Sequence, residues 1–330
     1  MIRVAIIGCG LVGQKRARSL AGAKLVACAD LDRSKAGDLA GNVKGCAVFP
    51  DWPSVIRNDQ IDLVIVATPH NLLAEIAGAA VREGKHVLVE KPGARNVDEL
   101  RGLISIADSA GVCVRVGFNH RYHPAFQQAR ELVDSGKIGS LMFIRARYGH
   151  GGRKEYEREW RARPEISGGG ELIDQGAHLI DLAHWFLGEF KEVDGFAHTY
   201  FWDMPVDDNA FLLLKTKEKR VAFLHASWTE WKNTFSFEIF GRCGKLQVDG
   251  LGGSYGSERL TWYRMLPEMG PPETDVWEYP MEDNSWEVEM AEFLKDIRLS
   301  RASEPGLHDA FATLKVVEKI YRGCQDDYRP

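Results

Sequence analysis

The apolar run Arg3–Ile7 passes directly into Gly8-Cys9-Gly10-Leu11-Val12-Gly13, and no other stretch limits the fold as tightly. A strand that enters a helix through such a turn opens a parallel βαβ unit. Further apolar runs at 25–29, 63–67, 86–89 and 112–116 lack strict alternation, as strands covered on both faces do. Helical periods fill the gaps: Leu73, Ile76, Ala77, Ala80 and Val81, then Leu100, Leu103, Ile104 and Ala107. Asn96 followed three residues on by Glu99 marks a helix start. The pattern predicts an α/β chain whose residues 1–121 form an N-terminal Rossmann domain.

Beyond a helix expected over 122–135 the pattern changes. Runs at 142–148, 210–216, 221–229, 234–240 and 260–265 read as consecutive strands, which favours an antiparallel sheet. Two helical stripes close the chain, Trp286, Met290, Phe293 and Ile297, then Leu307, Ala310, Phe311, Leu314 and Val317. Residues 122–330 are therefore expected to form a second, α+β domain.

Several function classes are excluded by composition. A net charge of −5 and a pI near 6.1 supply no positive field for nucleic acid. No apolar run approaches the roughly 18–20 residues of a membrane span. Six cysteines lie without a Cys-x-x-Cys pair, which suits reduced thiols in a cytoplasmic protein.

The first turn has the chemistry of a dinucleotide site. Gly8 allows the tight turn, Gly10 admits a pyrophosphate, Gly13 lets helix and strand pack closely, and Leu11 and Val12 offer helix-start N–H groups. Asp30, ending the second strand, is placed to accept from a ribose hydroxyl and favours NAD, while Arg33 leaves NADP open. Thr68, Pro69 and Asn71 follow the third strand at the same edge. Glu90-Lys91-Pro92 ends the fourth, where such sheets place their ligand crevice, and Pro92 fixes the direction of Lys91, by a cis bond if one is present.

Downstream, Gly168-Gly169-Gly170 opens an expected helix on which Asp174 and His178 share one face at a spacing of four, a carboxylate–imidazole pair suited to moving a proton. A metal site from Asp174, His178 and Asp181 is set aside, since two turns of one helix rarely complete a shell. A basic, aromatic stretch runs from Arg145 through Tyr148, Arg153 and Trp160 to Arg163, and could grip an anionic substrate.

Taken in order, the glycine turn, Glu90-Lys91-Pro92, Gly117-Phe118-Asn119-His120-Arg121 and Gly168-Gly169-Gly170 with Asp174, Gly176, His178 and Asp181 resemble the glucose–fructose oxidoreductase / inositol dehydrogenase (Gfo/Idh/MocA) family along essentially the whole chain. The resemblance implies a second domain with an open, mainly antiparallel sheet, through whose face homodimers or homotetramers form. It implies NAD(P)-linked oxidation or reduction of a sugar, polyol or nucleotide sugar, with Lys91, Asp174 and His178 as the catalytic set and His178 and Lys91 handling the proton. Glu90 and Asn119 would then border the cofactor. His120, Arg121, Tyr148, Arg153, Trp160 and Arg161 would border the substrate. A glycosidase of the same fold with permanently held NAD, or a non-catalytic sugar sensor, are the alternative readings.

Overall fold

In the computed structural model, which describes residues 1–326, the chain contacts divide into two units. The first comprises Met1–Asn119, Glu165–Gly168 and Trp286–Phe311. Its sheet contains β1 (Arg3–Ile7), β2 (Lys24–Ala29), β3 (Ala47–Val48), β4 (Leu63–Val66), β5 (His86–Glu90) and β6 (Val114–Gly117), in the order β3-β2-β1-β4-β5-β6. Every pairing is parallel. That order is the doubly wound dinucleotide-binding arrangement, with its ligand crevice at the carboxyl ends of the strands. The strand β4 and the apolar part of β1, Val4–Ile7, are buried, as strands covered by helices on both faces are.

The division is more interleaved than one cut after residue 121. Met290, Phe293 and Leu294, on the helix Ser285–Leu299, pack into the same apolar cluster as Val4, Ile6, Leu25 and Leu63. Charges reinforce this packing. Arg16, on the helix Leu11–Arg18 that follows the glycine turn, is 1% exposed. It donates Nε to Glu90 Oε1 at 2.6 Å and Nη1 to Glu289 Oε2 at 2.5 Å, and lies 4.4 Å from the centre of the Trp286 ring. Glu289 is fully buried, and burial pushes its carboxyl upward against the pull of Arg16.

The second unit comprises His120–Pro164, Gly169–Ser285 and Ala312 onward. Its eight-stranded sheet is built from β7 (Leu141–Gly149), β8 (Phe190–His198), β9 (Asn209–Thr216), β10 (Val221–Ser227), β11 (Thr234–Gly241), β12 (Gly244–Asp249), β13 (Glu258–Arg264) and β14 (Glu273–Tyr279). The order is β14-β13-β12-β11-β7-β10-β9-β8, antiparallel except for the parallel pair β7–β10. The sheet is open and mainly antiparallel, as expected. The helix expected over 122–135 runs Pro124–Asp134; His123 caps its start, with Glu258 accepting from the Ala125 N–H and bonding His123 Nδ1. Among the described residues all six cysteines are free, and no helix is long and apolar enough to cross a membrane.

Removing Arg16 would strand two buried carboxylates, and breaking such a pair on one side typically costs about 3–5 kcal/mol. Arg16→Leu should therefore lower the first chemical-denaturation transition by about that amount. A loss under about 1 kcal/mol would show that the network stabilises little.

Candidate active site

At the glycine turn the residues fit a dinucleotide. Gly8 has φ +94°, and a Cβ there would lie 2.5 Å from the Ala67 carbonyl oxygen; one on Gly13 would lie 2.0 Å from Gly8 O. Only glycine can occupy either place. Gly10, by contrast, faces open space and caps the following helix without any side-chain hydrogen bond. The N–H groups of that first turn are thus left for an anion, helped by the helix dipole. Asp30 sits beneath the turn, Oδ2 accepting from Cys9 N at 2.6 Å and Oδ1 from Asp32 N at 2.8 Å. The Thr68 hydroxyl, past the end of β4, is buried without a hydrogen-bond partner, an orphan that a bound ligand would satisfy. Pro69 caps the helix His70–Arg82, with Asn71 in its first turn. Arg33 begins the helix Arg33–Gly41 and is exposed.

Lys91 follows β5 immediately, and the Lys91–Pro92 bond is cis. Glu90 is not presented to a ligand in the way the motif suggested. Its carboxylate is spent on the buried Arg16 guanidinium, and a Cβ at Gly117 would come within 2.9 Å of it. Asn119 is buried at the end of the first unit.

In the second unit the expected continuous helix is interrupted. Residues Leu172–Gly176 form a π-turn, and the α-helix Ala177–Leu187 begins after it. Such turns are rare and occur mostly at functional sites. Asp174 therefore lies on the wide turn and His178 in the first turn of the α segment. Asp174 Oδ2 accepts from Arg161 Nε at 2.8 Å. The Arg161 guanidinium in turn lies over the Trp160 ring, 4.6 Å from its centre. The His178 imidazole stacks on His120 at 3.7 Å between centres, and Tyr148 lies 5.4 Å from His120 and 6.5 Å from His178. His120, Tyr148 and His178 thus form one buried cluster, and Trp160, Arg161 and Asp174 a second, half-buried group carried on the same π-turn and its approach.

Arg121 and Arg153 have other employment. Arg121 makes two bonds to Asp181, at 2.8 and 2.6 Å, with both side chains buried. That fork fixes the helix carrying His178 instead of offering a charge to substrate. Arg153 forms the same fork with Glu159, at 2.6 Å on each oxygen.

Asp207, in the loop before β9, is a positioning residue that sequence reasoning missed. Its carboxylate accepts from Gly170 N at 2.9 Å, Leu172 N at 2.8 Å and the Tyr321 hydroxyl at 2.7 Å. Its backbone leaves no room beside Gly170, where a Cβ would sit 1.9 Å from Asp207 O. The glycine run therefore lets a buried carboxylate hold the start of the π-turn. Its only sequence signal is the acidic run Val206-Asp207-Asp208-Asn209 ahead of a strand. Among the described residues no group of three His, Cys, Asp or Glu could hold a metal ion.

Fold and turn together define a dinucleotide-binding oxidoreductase scaffold, and the comparisons agree. Residues 2–118 match the oxidoreductase family with NAD-binding Rossmann fold, and residues 126–247 match the GFO/IDH/MocA C-terminal domain. An inositol 2-dehydrogenase from Rubrobacter xylanophilus is 33% identical over 262 residues, 77% of this chain and 73% of that protein. Levoglucosan dehydrogenase from Pseudarthrobacter phenanthrenivorans is 34% identical over 158 residues, 47% of this chain but only 40% of that protein's length. A solved structure titled levoglucosan dehydrogenase in complex with NADH and L-sorbose superposes with a TM-score of 0.89 at 22% identity, covering 99% of this chain and 97% of that one. The chain belongs to the Gfo/Idh/MocA family of NAD-binding oxidoreductases.

Two predictions follow from the second unit. Asp207→Ala leaves two backbone N–H groups without their charged acceptor and should destabilise by about 3 kcal/mol or more; Asp207→Asn, which keeps an acceptor, should cost less. Equal, small losses in both would remove Asp207 from the account. Burial holds the imidazoles of His150 and His225 below their ordinary 6.5. Between the lowered folded values and 6.5 the unfolded chain binds more protons, so stability is lost as pH falls through that window. The Tm should drop between about pH 7 and about pH 5, and less steeply once both histidines are replaced by Gln. A Tm that is flat or rises on acidification would contradict this.

Proposed function

We propose that this chain is an NAD-dependent dehydrogenase of a neutral sugar or polyol, working on one hydroxyl or, in reverse, on the corresponding ketone. The observation that carries the reading is the His120–His178 stack beside Tyr148 on a helix held by the Arg121–Asp181 fork. Two imidazoles so close hold one positive charge between them at less cost than two. His178 is therefore suited to take up the single proton that the alcohol gives, and to return it to a ketone. Lys91, hydrogen-bonded to the same oxygen, stabilises its developing negative charge. Asp174, its carboxylate oriented by Arg161, binds a neighbouring hydroxyl or orients His178. When bound, NAD supplies the hydride acceptor. The glycine turn, Thr68 and Asp30 hold it, and a carboxylate at the ribose favours NAD over NADP. On this reading the first unit holds the cofactor and the second the substrate.

The names of the relatives, inositol and levoglucosan dehydrogenases, support a polyhydroxylated substrate. The arginines argue for a neutral one. Arg145 pairs with Glu238, Arg153 with Glu159, Arg158 with Glu155 and Arg161 with Asp174, so four arginines of the basic stretch already face carboxylates. Association of copies through the sheet of the second unit is supported by its outward residues. Phe223 on β10 is 48% exposed and pairs across the strands with the 50% exposed Leu213, an apolar neighbourhood of the kind that marks an interface.

The test is an assay of NADH formation across inositols, anhydrosugars, free sugars and nucleotide sugars. Activity is expected on neutral polyols with NAD. His178→Ala should lose about 100- to 10,000-fold in kcat while still binding NADH. Near-normal turnover in that variant, or activity confined to nucleotide sugars, would overturn the reading.

A further inference from the structure

Beside the stacked histidines the second unit carries a cavity of about 500 Å³, walled by residues 232–235 and 254–256. Its floor is the buried Phe235 and its side wall is Tyr255. Tyr148 links this cavity to the cluster around His178. Its ring centre is 5.3 Å from Phe235, 4.9 Å from Tyr255 and 6.5 Å from His178. A molecule with its alcohol at His178 would therefore reach the cavity with a part of itself that lies past Tyr148 and away from the reacting carbon.

Tyr255 is held from outside the lining by a side chain with unspent hydrogen-bonding capacity. Gln175, in the π-turn next to Asp174, is 8% exposed, and its Nε2 donates to the Tyr255 hydroxyl at 2.8 Å. Its Oε1 is buried with no partner. Turning the amide over only exchanges which of its two polar atoms is left unpaired. A buried amide in this state is costly unless a ligand completes it. Tyr255 accepts that bond from Gln175 and keeps its own proton to give. Around this pair lie an aromatic floor and a rim of Lys232, Asn233 and Ser254. Apolar walls with a few placed polar groups are the usual make-up of a small-molecule site.

We propose that this cavity is a subsite for a second hydroxyl-bearing ring, so that the preferred substrate is a glycoside and not a free monosaccharide. Tyr255, oriented by its bond from Gln175, donates to an oxygen of that ring, and Phe235 lies against its carbon face. Which ring reacts rests on the reading of His178 given above; occupancy of the cavity does not.

The experiment compares glucose and methyl glucoside with maltose and cellobiose, for wild type and for Gln175→Leu, Tyr255→Phe and Ser254→Trp. The last variant fills the cavity from its exposed rim, and so keeps the test informative if a core change disturbs folding. The wild type should favour one disaccharide over glucose by about ten-fold or more in kcat/KM, and each variant should lower that ratio about ten-fold, through KM and not kcat. A wild type that prefers the monosaccharide, or variants that leave the ratio unmoved, would overturn the subsite while the dehydrogenase reading stands. If no sugar is oxidised at all, that reading fails, and calorimetric binding of the same sugars decides the subsite alone. Tighter binding of a disaccharide that Ser254→Trp abolishes supports it, and equal or absent binding rejects it.

Discussion

A single buried guanidinium fixes the part of the first unit on which the proposed chemistry depends. Arg16 joins three segments distant in sequence: the helix after the glycine turn, the end of β5 through Glu90, and the helix Ser285–Leu299 through Glu289. Lys91 is the next residue after Glu90, so the charge that anchors the strand end also determines where the proposed catalytic ammonium leaves the backbone. A second ion pair between the same layers, Arg115 with Asp296, reinforces the arrangement. Buried pairs like these add little net stability over apolar packing, yet they tolerate only one geometry, and a functional side chain needs that geometry.

The second unit solves the same problem with a carboxylate. Asp207 takes up N–H groups at the start of the π-turn, and Arg121 clamps Asp181 farther along the helix that follows. Between these fixed points lie Asp174, Gln175 and His178. The wide turn and the run of glycines ahead of it are costly as local structure, and the loss is offset by bonds made to residues far along the chain. That is how functional segments usually depart from regular geometry.

Much of this was legible in the sequence, and the parts that were not share a physical cause. β1, β2, β4, β5 and β6 read correctly because strands buried on both faces carry a run of apolar residues without alternation, broken only at their ends or, in β6, by the ion-paired Arg115. β8, β12 and β14 were missed: β8 and β14 lie at the two edges of the sheet, where Glu273–Tyr279 sets only Val276 and Trp277 between Asp275 and Glu278, and β12 alternates over just six residues. β3 has only two residues, too short for any period. The π-turn was hidden because a spacing of four fits it as well as an α-helix. Candidate site residues could be named where a local motif carried them, as at Gly8, Lys91 and His178. Glu90 and Arg121 were expected beside cofactor and substrate but pair with Arg16 and Asp181, which lie 74 and 60 positions away and out of reach of any local pattern. Asp207 left only an acidic run as its trace, and Gln175 none, because their importance lies in what they touch.

The central claim is that Lys91 and His178 serve one alcohol oxygen. A crystal structure with NADH and a bound polyol tests it most directly. The account predicts Lys91 Nζ and a His178 ring nitrogen each within about 2.6–3.2 Å of the same substrate oxygen. A polyol bound with either group turned away from the reacting carbon would contradict it.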